Sequence, residues 1–225
     1  MLSQAIIFDF DGVILESHTV KTNAFFELIR REFNEEHAWA MHDYHCNHLG
    51  ISRFQKFEWF YRERLGKSIT PGESRRLGKA FSDLVFEQVL AAPAVPGAVE
   101  SLERLQSLGL KLFVASGTPQ EELEQIVECR MLSSFFTEVW GTPSLKPDII
   151  RDLMKRYEME ASQILFVGDG ASDWKAARAT HVPFLARTTE GTFDTWRARG
   201  VDQVPDLIGL ADRMLATTES GVPTT

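Results

Sequence analysis

Ala5-Ile6-Ile7-Phe8-Asp9-Phe10-Asp11-Gly12-Val13-Ile14 runs four apolar residues straight into two carboxylates, one residue apart, and then a glycine. A continuous apolar run marks a strand buried on both faces of a parallel sheet. Ligands of open α/β sheets bind at the carboxyl ends of their strands, and Asp9 and Asp11 stand at such an end. Two carboxylates crowded there repel one another and call for a cation to offset them. An acidic turn after a strand is the plainer reading of the same letters. The rest of the chain decides between the two by supplying partners or failing to.

Past Ile14 the apolar spacing becomes helical. Phe25, Leu28, Ile29 and Phe33 share a face, with Arg30, Arg31, Glu32 and Glu35 largely opposite. A second helix is expected over 39–48, ending near Gly50. A third carries Phe54, Phe57, Tyr61 and Leu65 on one stripe and closes at Gly66, a C-terminal cap. The fourth opens with Thr70-Pro71-Gly72-Glu73, an N-cap followed by proline at the first helical position and an acid at the third. Residues 17–91 thus read as an all-helical unit, and Ala91-Ala92-Pro93-Ala94-Val95-Pro96-Gly97 as the linker leading out of it.

Strands expected over 110–115, 136–140, 164–167 and 182–186, with an edge strand over 201–204, then alternate with helices over 98–106, 121–129, 148–157, 174–179 and 206–215. That alternation predicts a parallel sheet with helices on its faces. The fold class is therefore α/β: a doubly wound parallel-sheet core of residues 1–16 and 92–216, an all-helical cap of 17–91 inserted after the first strand, and a tail of 217–225, rich in Thr, Ser, Gly and Pro, expected to be disordered. A helical cap over a strand-end crevice suits a reaction that excludes water.

The 225 residues are 44% hydrophobic and 25% charged, ordinary for a globular protein. A formal net charge of −8 argues against a nucleic-acid or anionic-membrane partner. No apolar run reaches membrane-span length. The short apolar start lacks a basic region and carries two aspartates, which is unlike a secretion signal. Cys46 and Cys129 fit no metal spacing and read as reduced thiols. The expectation is a cytoplasmic protein, monomer or homodimer.

Four strand ends carry polar groups that converge on one crevice. The first has Asp9 and Asp11; the second has Ser116, Gly117 and Thr118 at a helix start, where free N–H groups favour an anion. Thr118-Pro119-Gln120-Glu121 also reads as a capping box, a role compatible with the first. Lys146 adds a positive charge after the third strand, and Asp169 and Asp173 follow the fourth across a glycine-rich turn. Several carboxylates with one lysine imply a hard divalent cation, and an all-oxygen site suits Mg²⁺. Metal, lysine and helix N-terminus around one point make a phosphoryl clamp. One carboxylate can attack phosphorus, and another two residues on can protonate the leaving oxygen and then activate water.

Phe8-Asp9-Phe10-Asp11-Gly12-Val13, Ser116-Gly117-Thr118, Lys146-Pro147 and Gly168-Asp169-Gly170-Ala171-Ser172-Asp173 resemble the four ordered motifs of the haloacid dehalogenase-like (HAD) hydrolase superfamily, with its Rossmann-like core and type 1 helical cap. The resemblance implies Asp9 as nucleophile, Asp11 as general acid and base, and Ser116 and Lys146 as holders of the phosphoryl group. It implies Mg²⁺ on the Asp9 carboxylate, the Asp11 carbonyl and Asp169, with Asp173 behind them or acting through water. Asp11 argues against the superfamily's dehalogenases, phosphonate-cleaving members and ion-pumping ATPases, which lack that aspartate.

Leu49-Gly50-Ile51-Ser52-Arg53 resembles the cap loop that reads substrate in the sugar-phosphate members, which implies substrate contacts at Ser52 and Arg53, the latter on a second anionic group. Lys21 stands where mutases of the superfamily are expected to carry a histidine, which weighs against mutase chemistry and leaves Lys21 as a contact for an acidic substrate. His37, His42, His45 and His48 with Cys46 read as surface or packing residues rather than a metal site. Trp59 is the aromatic expected to face the cleft. The function expected is a Mg²⁺-dependent phosphatase of a small phosphorylated metabolite, a sugar phosphate or phosphoglycolate-like acid. A β-phosphoglucomutase-like phosphomutase is the alternative, and a non-catalytic metabolite-binding protein ranks below it.

Overall fold

The structure, a computed structural model, describes residues 3–189 and 192–219. Six parallel strands form one sheet in the order β3-β2-β1-β4-β5-β6: β1 Ala5–Phe8, β2 Lys111–Pro119, β3 Glu138–Thr142, β4 Ile164–Gly168, β5 Phe184–Arg187 and β6 Gln203–Val204. The winding reverses at β1, where Phe8 lies level with Val114 on one side and Val167 on the other. The crevice of an open sheet forms at such a reversal, so Asp9 leaves the sheet at its mouth.

Side chains alternate across a strand, and β1 divides accordingly. Ile6 and Phe8 join a core with Leu112, Val114, Leu102 and Ile126. Ala5 and Ile7 face the other way, toward Phe113, Ile150, Leu153 and Ala177. The first face is covered by α5 (Ala98–Ser107), α6 (Gln120–Cys129) and α10 (Leu210–Glu219), the second by α7 (Lys146–Arg156) and α8 (Ala171–Thr180). Helices on both faces make the core the doubly wound, Rossmann-like α/β sandwich that the alternating pattern predicts.

Between β1 and α5 the chain contains α1 (His18–Glu32), α2 (Glu35–Asn47), α3 (Arg53–Leu65) and α4 (Pro71–Ala91) and no strand. Phe25, Phe57, Phe60, Phe81 and Val85 are buried together there, continuous with the first sheet face through Phe10, Val13, Ile14 and Leu15. Gly66 ends α3 in the left-handed region at φ 65°, and the Thr70 hydroxyl accepts the Glu73 N–H at 3.2 Å at the start of α4.

Several boundaries differ from the sequence reading. β2 continues past 115 to Pro119, because a register shift lets Pro119 pair with Thr142 after Ala115 pairs with Trp140. α6 therefore starts at Gln120 with no side-chain cap, and Thr118 is not the capping residue that Thr118-Pro119-Gln120-Glu121 suggests. A six-residue helix, α9 (Phe193–Ala198), was not expected; it buries Trp196 alone, too little for a period to show. α10 begins at Leu210 rather than 206 and runs to Glu219, into the stretch expected to be disordered. Residues 220–225 of that stretch lie outside the described residues. Trp59 stacks on Tyr44, ring centroids 3.7 Å apart, instead of facing the cleft, a pairing that aromatic rings favour. Among the described residues no helix is long and apolar enough to cross a membrane.

Candidate active site

Asp9 follows β1 directly, and its backbone N–H still donates to Val167 in β4, so the sheet itself fixes its position. One carboxylate oxygen, Oδ1, accepts from the Phe10 N–H at 2.7 Å; Oδ2 lies 3.1 Å from Lys146 Nζ. Lys146 is the first residue of α7, and its ammonium also binds Asp173 Oδ1. Asp173, wholly buried in the first turn of α8, accepts the Gly170 N–H at 2.9 Å through Oδ2. Asp169 comes straight off β4, opposite the turn after Asp11. Gly12 in that turn has φ +77°, and a Cβ on it would meet Asp169 Oδ2 at 2.3 Å. Only glycine satisfies both conditions.

Burial above all pushes the Asp9 carboxyl up to about 7, with Asp173 and Asp11 adding to the rise and Lys146 opposing it. Asp169 is raised well above the usual carboxylate range by burial and by the charges of Asp9 and Asp173. Lys146 is raised despite its burial, because Asp173 and Asp9 favour its charged form. One oxygen from each of Asp9, Asp169 and Asp173 falls within 4.8 Å of the others. Three hard oxygen donors held together against their own repulsion, with one lysine to neutralise them, are a donor set that fits Mg²⁺.

Asp11 is held differently. Ser17 Oγ donates to its Oδ1 at 2.6 Å, and Lys21 Nζ and Thr118 Oγ1 donate to its Oδ2, the latter at 3.0 Å. Burial raises the Asp11 carboxyl, but the Lys21 charge and these three hydrogen bonds outweigh it, so the group lies below its ordinary value. Thr118 also accepts from Lys21 at 2.7 Å, which ties the three side chains into one network. Neighbouring carboxylates are thus pushed apart, Asp9 upward and Asp11 downward.

Asp9, Asp11, Lys21, Arg53, Gly117, Thr118 and Asp169 line one cavity under α1–α3. Ser116, Lys146 and Ser52 line an adjoining one, which Gly50, Ile51 and Gly117 share. The loop before α3 closes tightly on the sheet: Ser172 Oγ donates to the Leu49 carbonyl at 2.8 Å, and a Cβ on Gly170 would lie 2.7 Å from that same oxygen. Ser116 is buried, and its hydroxyl accepts the Thr118 N–H at 3.1 Å.

The expected substrate contacts at the loop find other partners. Ser52 caps α3, accepting the Phe54 N–H at 3.2 Å. Arg53 reaches the cavity wall, but its guanidinium grips Glu122 of α6 with both nitrogens, at 2.9 and 2.6 Å, and Ser82 at 2.7 Å. Among the crowded histidines, His48 is exposed, His42 approaches Cys46 only at 4.0 Å, and His45 is buried against the cavity. Ser17, Glu122 and Lys56 escaped the sequence reading, and His45, read as a surface or packing residue, lines the cavity. Ser17 precedes a helix and reads as its cap, yet its hydroxyl serves Asp11 instead. Glu122 and Lys56 sit on regular helices, and no local pattern marks their partners.

The sequence model for "haloacid dehalogenase-like hydrolase" matches residues 4–181. A phosphoglycolate phosphatase of Pseudomonas savastanoi is 34% identical over 96 residues, 40% of this chain and 35% of that protein's own length. One from Rhodospirillum rubrum is 24% identical over 194 residues, 82% of this chain and 79% of its own. Among solved structures, a Bacteroides vulgatus protein named after beta-phosphoglucomutase superposes with a TM-score of 0.78 at 16% identity, over 99% of this chain and 91% of that one. At that identity the likeness is one of fold.

Proposed function

Because the chain belongs to the haloacid dehalogenase-like hydrolase family, we propose that it is a Mg²⁺-dependent phosphatase of a small phosphorylated metabolite, working through an aspartyl-phosphate. The residues 1–16 and 92–216 serve as its catalytic core and 17–91 as its cap. The observation that carries the reading is the division of labour between two carboxylates two residues apart: Asp9 beside Lys146 and Asp169, Asp11 held by Ser17, Lys21 and Thr118.

In this mechanism an Asp9 oxygen attacks phosphorus and the bond to the leaving oxygen breaks, with Asp11 relaying to that oxygen the proton that a monoanionic phosphate ester brings in. Asp11, now ionised and held so by Lys21, takes a proton from water, and the hydroxide attacks the aspartyl-phosphate. Phosphate leaves and Asp9 is restored. Lys146 keeps Asp9 oriented through its 3.1 Å contact, and Ser116 supplies a buried hydroxyl for a phosphoryl oxygen. Asp9, Asp169 and Asp173 would hold Mg²⁺, which neutralises charge on the phosphoryl oxygens.

The small substrate is supported by the space left in the main cavity, about 50 Å³ open to the centre of a water molecule. The pairing of Arg53 with Glu122 occupies the cation expected to hold a second anionic group, which weighs against the phosphomutase alternative. The test is phosphate release from p-nitrophenyl phosphate and a panel of phosphorylated metabolites, with and without Mg²⁺. Mg²⁺-dependent release that disappears in Asp9→Asn is expected; release that survives in Asp9→Asn overturns the reading.

A further inference from the structure

Three cations reach the main cavity from the helical layer, and two are already neutralised. Lys21 is paired with Asp11 and Arg53 with Glu122. Lys56, on α3, is 2% exposed, and among the described residues it has no carboxylate within ion-pair range. Its Nζ instead lies 2.6 Å from His45 Nδ1 and 5.1 Å from the centre of the Phe25 ring. An ammonium buried without a counter-charge is costly, and the nearest compensation here is a ring nitrogen and an aromatic face.

His45 is itself buried, 4% exposed, and lines the same cavity. With Lys56 donating to Nδ1, the ring proton belongs on Nε2, and among the described residues that atom has no partner. The Nε2 of His18, a third ring on the cavity wall, is likewise buried and unpartnered. Burial first, and then the charge of Lys56, keeps His45 neutral. Among the described residues, a buried amine without an ion-pair partner and two unpartnered imidazole nitrogens converge on one small cavity, and buried polar groups of this kind call for hydrogen-bonding partners.

We propose that Lys56, positioned by His45, is the specificity residue of the cavity, and that it recognises a carboxylate carried by the substrate a few atoms from its phosphate. The proposal rests on the phosphatase reading for the phosphate end and goes beyond it at the other. A carboxylate supplies the missing counter-charge to Lys56 and acceptors for imidazole N–H groups. A second phosphoryl group would bring greater bulk and charge than one lysine and two neutral imidazoles match. Neutral sugar hydroxyls would leave the ammonium uncompensated. Burial, followed by the charge of Lys21, lowers Lys56 to about 7, the direction expected of a lysine waiting for its anion.

The experiment compares phosphoglycolate with its neutral isostere 2-hydroxyethyl phosphate, both as substrates of the Mg²⁺-loaded enzyme and as ligands of the Asp9→Asn protein by calorimetry. The wild type is expected to favour the carboxylate ester by about tenfold or more in kcat/KM, chiefly through KM, and Asp9→Asn to bind it more tightly by a similar factor. Lys56→Met should bring both ratios close to one, and His45→Gln should lower them in part. A preference for phosphoglycolate that persists in Lys56→Met, or its absence from a wild type that hydrolyses both esters, overturns the proposal. If no ester, p-nitrophenyl phosphate included, is hydrolysed by the wild type, the phosphatase reading fails, and the calorimetric ratio still decides the carboxylate site. Lys56→Gln, with thermal unfolding of each variant, separates lost recognition from lost folding.

Discussion

At Asp11 three donors meet one carboxylate, and Lys21 is the strongest of them. Removing it in Lys21→Met leaves burial, which raises the carboxyl, opposed only by Ser17 and Thr118. The Asp11 pKa should therefore rise. The ionised form that activates water would then be lost at a higher pH than in the wild type as pH falls, so the acid limb that Asp11 sets in kcat moves upward. A pH–rate profile on p-nitrophenyl phosphate checks this; an unmoved acid limb would mean that Asp11 is not the group titrating there. Asp9 and Asp11 were conspicuous in the sequence as a pair. Their unlike environments were not, since Lys21, Thr118 and Lys146 come from 10, 107 and 137 residues away.

Between elements, the contact of most consequence joins α3 to α6. Arg53 and Glu122 are 3% and 8% exposed, paired through two hydrogen bonds, with Ser82 of α4 sharing both partners. Arg53→Met leaves a carboxylate buried without its cation and should cost about 3–5 kcal/mol, whereas Arg53→Met with Glu122→Met should recover most of that loss. Urea unfolding of both single variants and the double variant measures it, and losses that simply add would show the two side chains to be uncoupled. Most helices and strands, in their succession along the chain, were readable from apolar spacing and from caps such as Thr70 and Gly66. The extension of β2 to Pro119 was not, because a register shift belongs to the pairing of two strands.

For the whole molecule, the sheet gathers Asp9, Asp169 and Asp173 at one edge and buries them at a cost that a cation would relieve. Adding Mg²⁺ should raise the melting temperature, by the equivalent of about 2.7 kcal/mol at a hundredfold excess over its dissociation constant. Protons compete for Asp9 and Asp169, both raised above the usual carboxylate range, so these groups are protonated at acid pH and free for the ion at alkaline pH. The thermal shift should accordingly be larger at pH 8 than at pH 5.5 and should vanish in Asp169→Asn. A shift that is equal at both pH values would place the ion elsewhere.

The four polar strand ends, their order and the helical stretch between the first two strands are local features of the chain. They were enough to determine the α/β class and to nominate Asp9, Asp11, Ser116, Lys146, Asp169 and Asp173. Which cation each carboxylate meets is a matter of distance between residues far apart in sequence, and only the folded molecule decides it. There Glu122 takes Arg53, Asp11 takes Lys21, and Lys56 is left over a small cavity with no carboxylate partner among the described residues, because burial fixes partners that no spacing along the chain encodes.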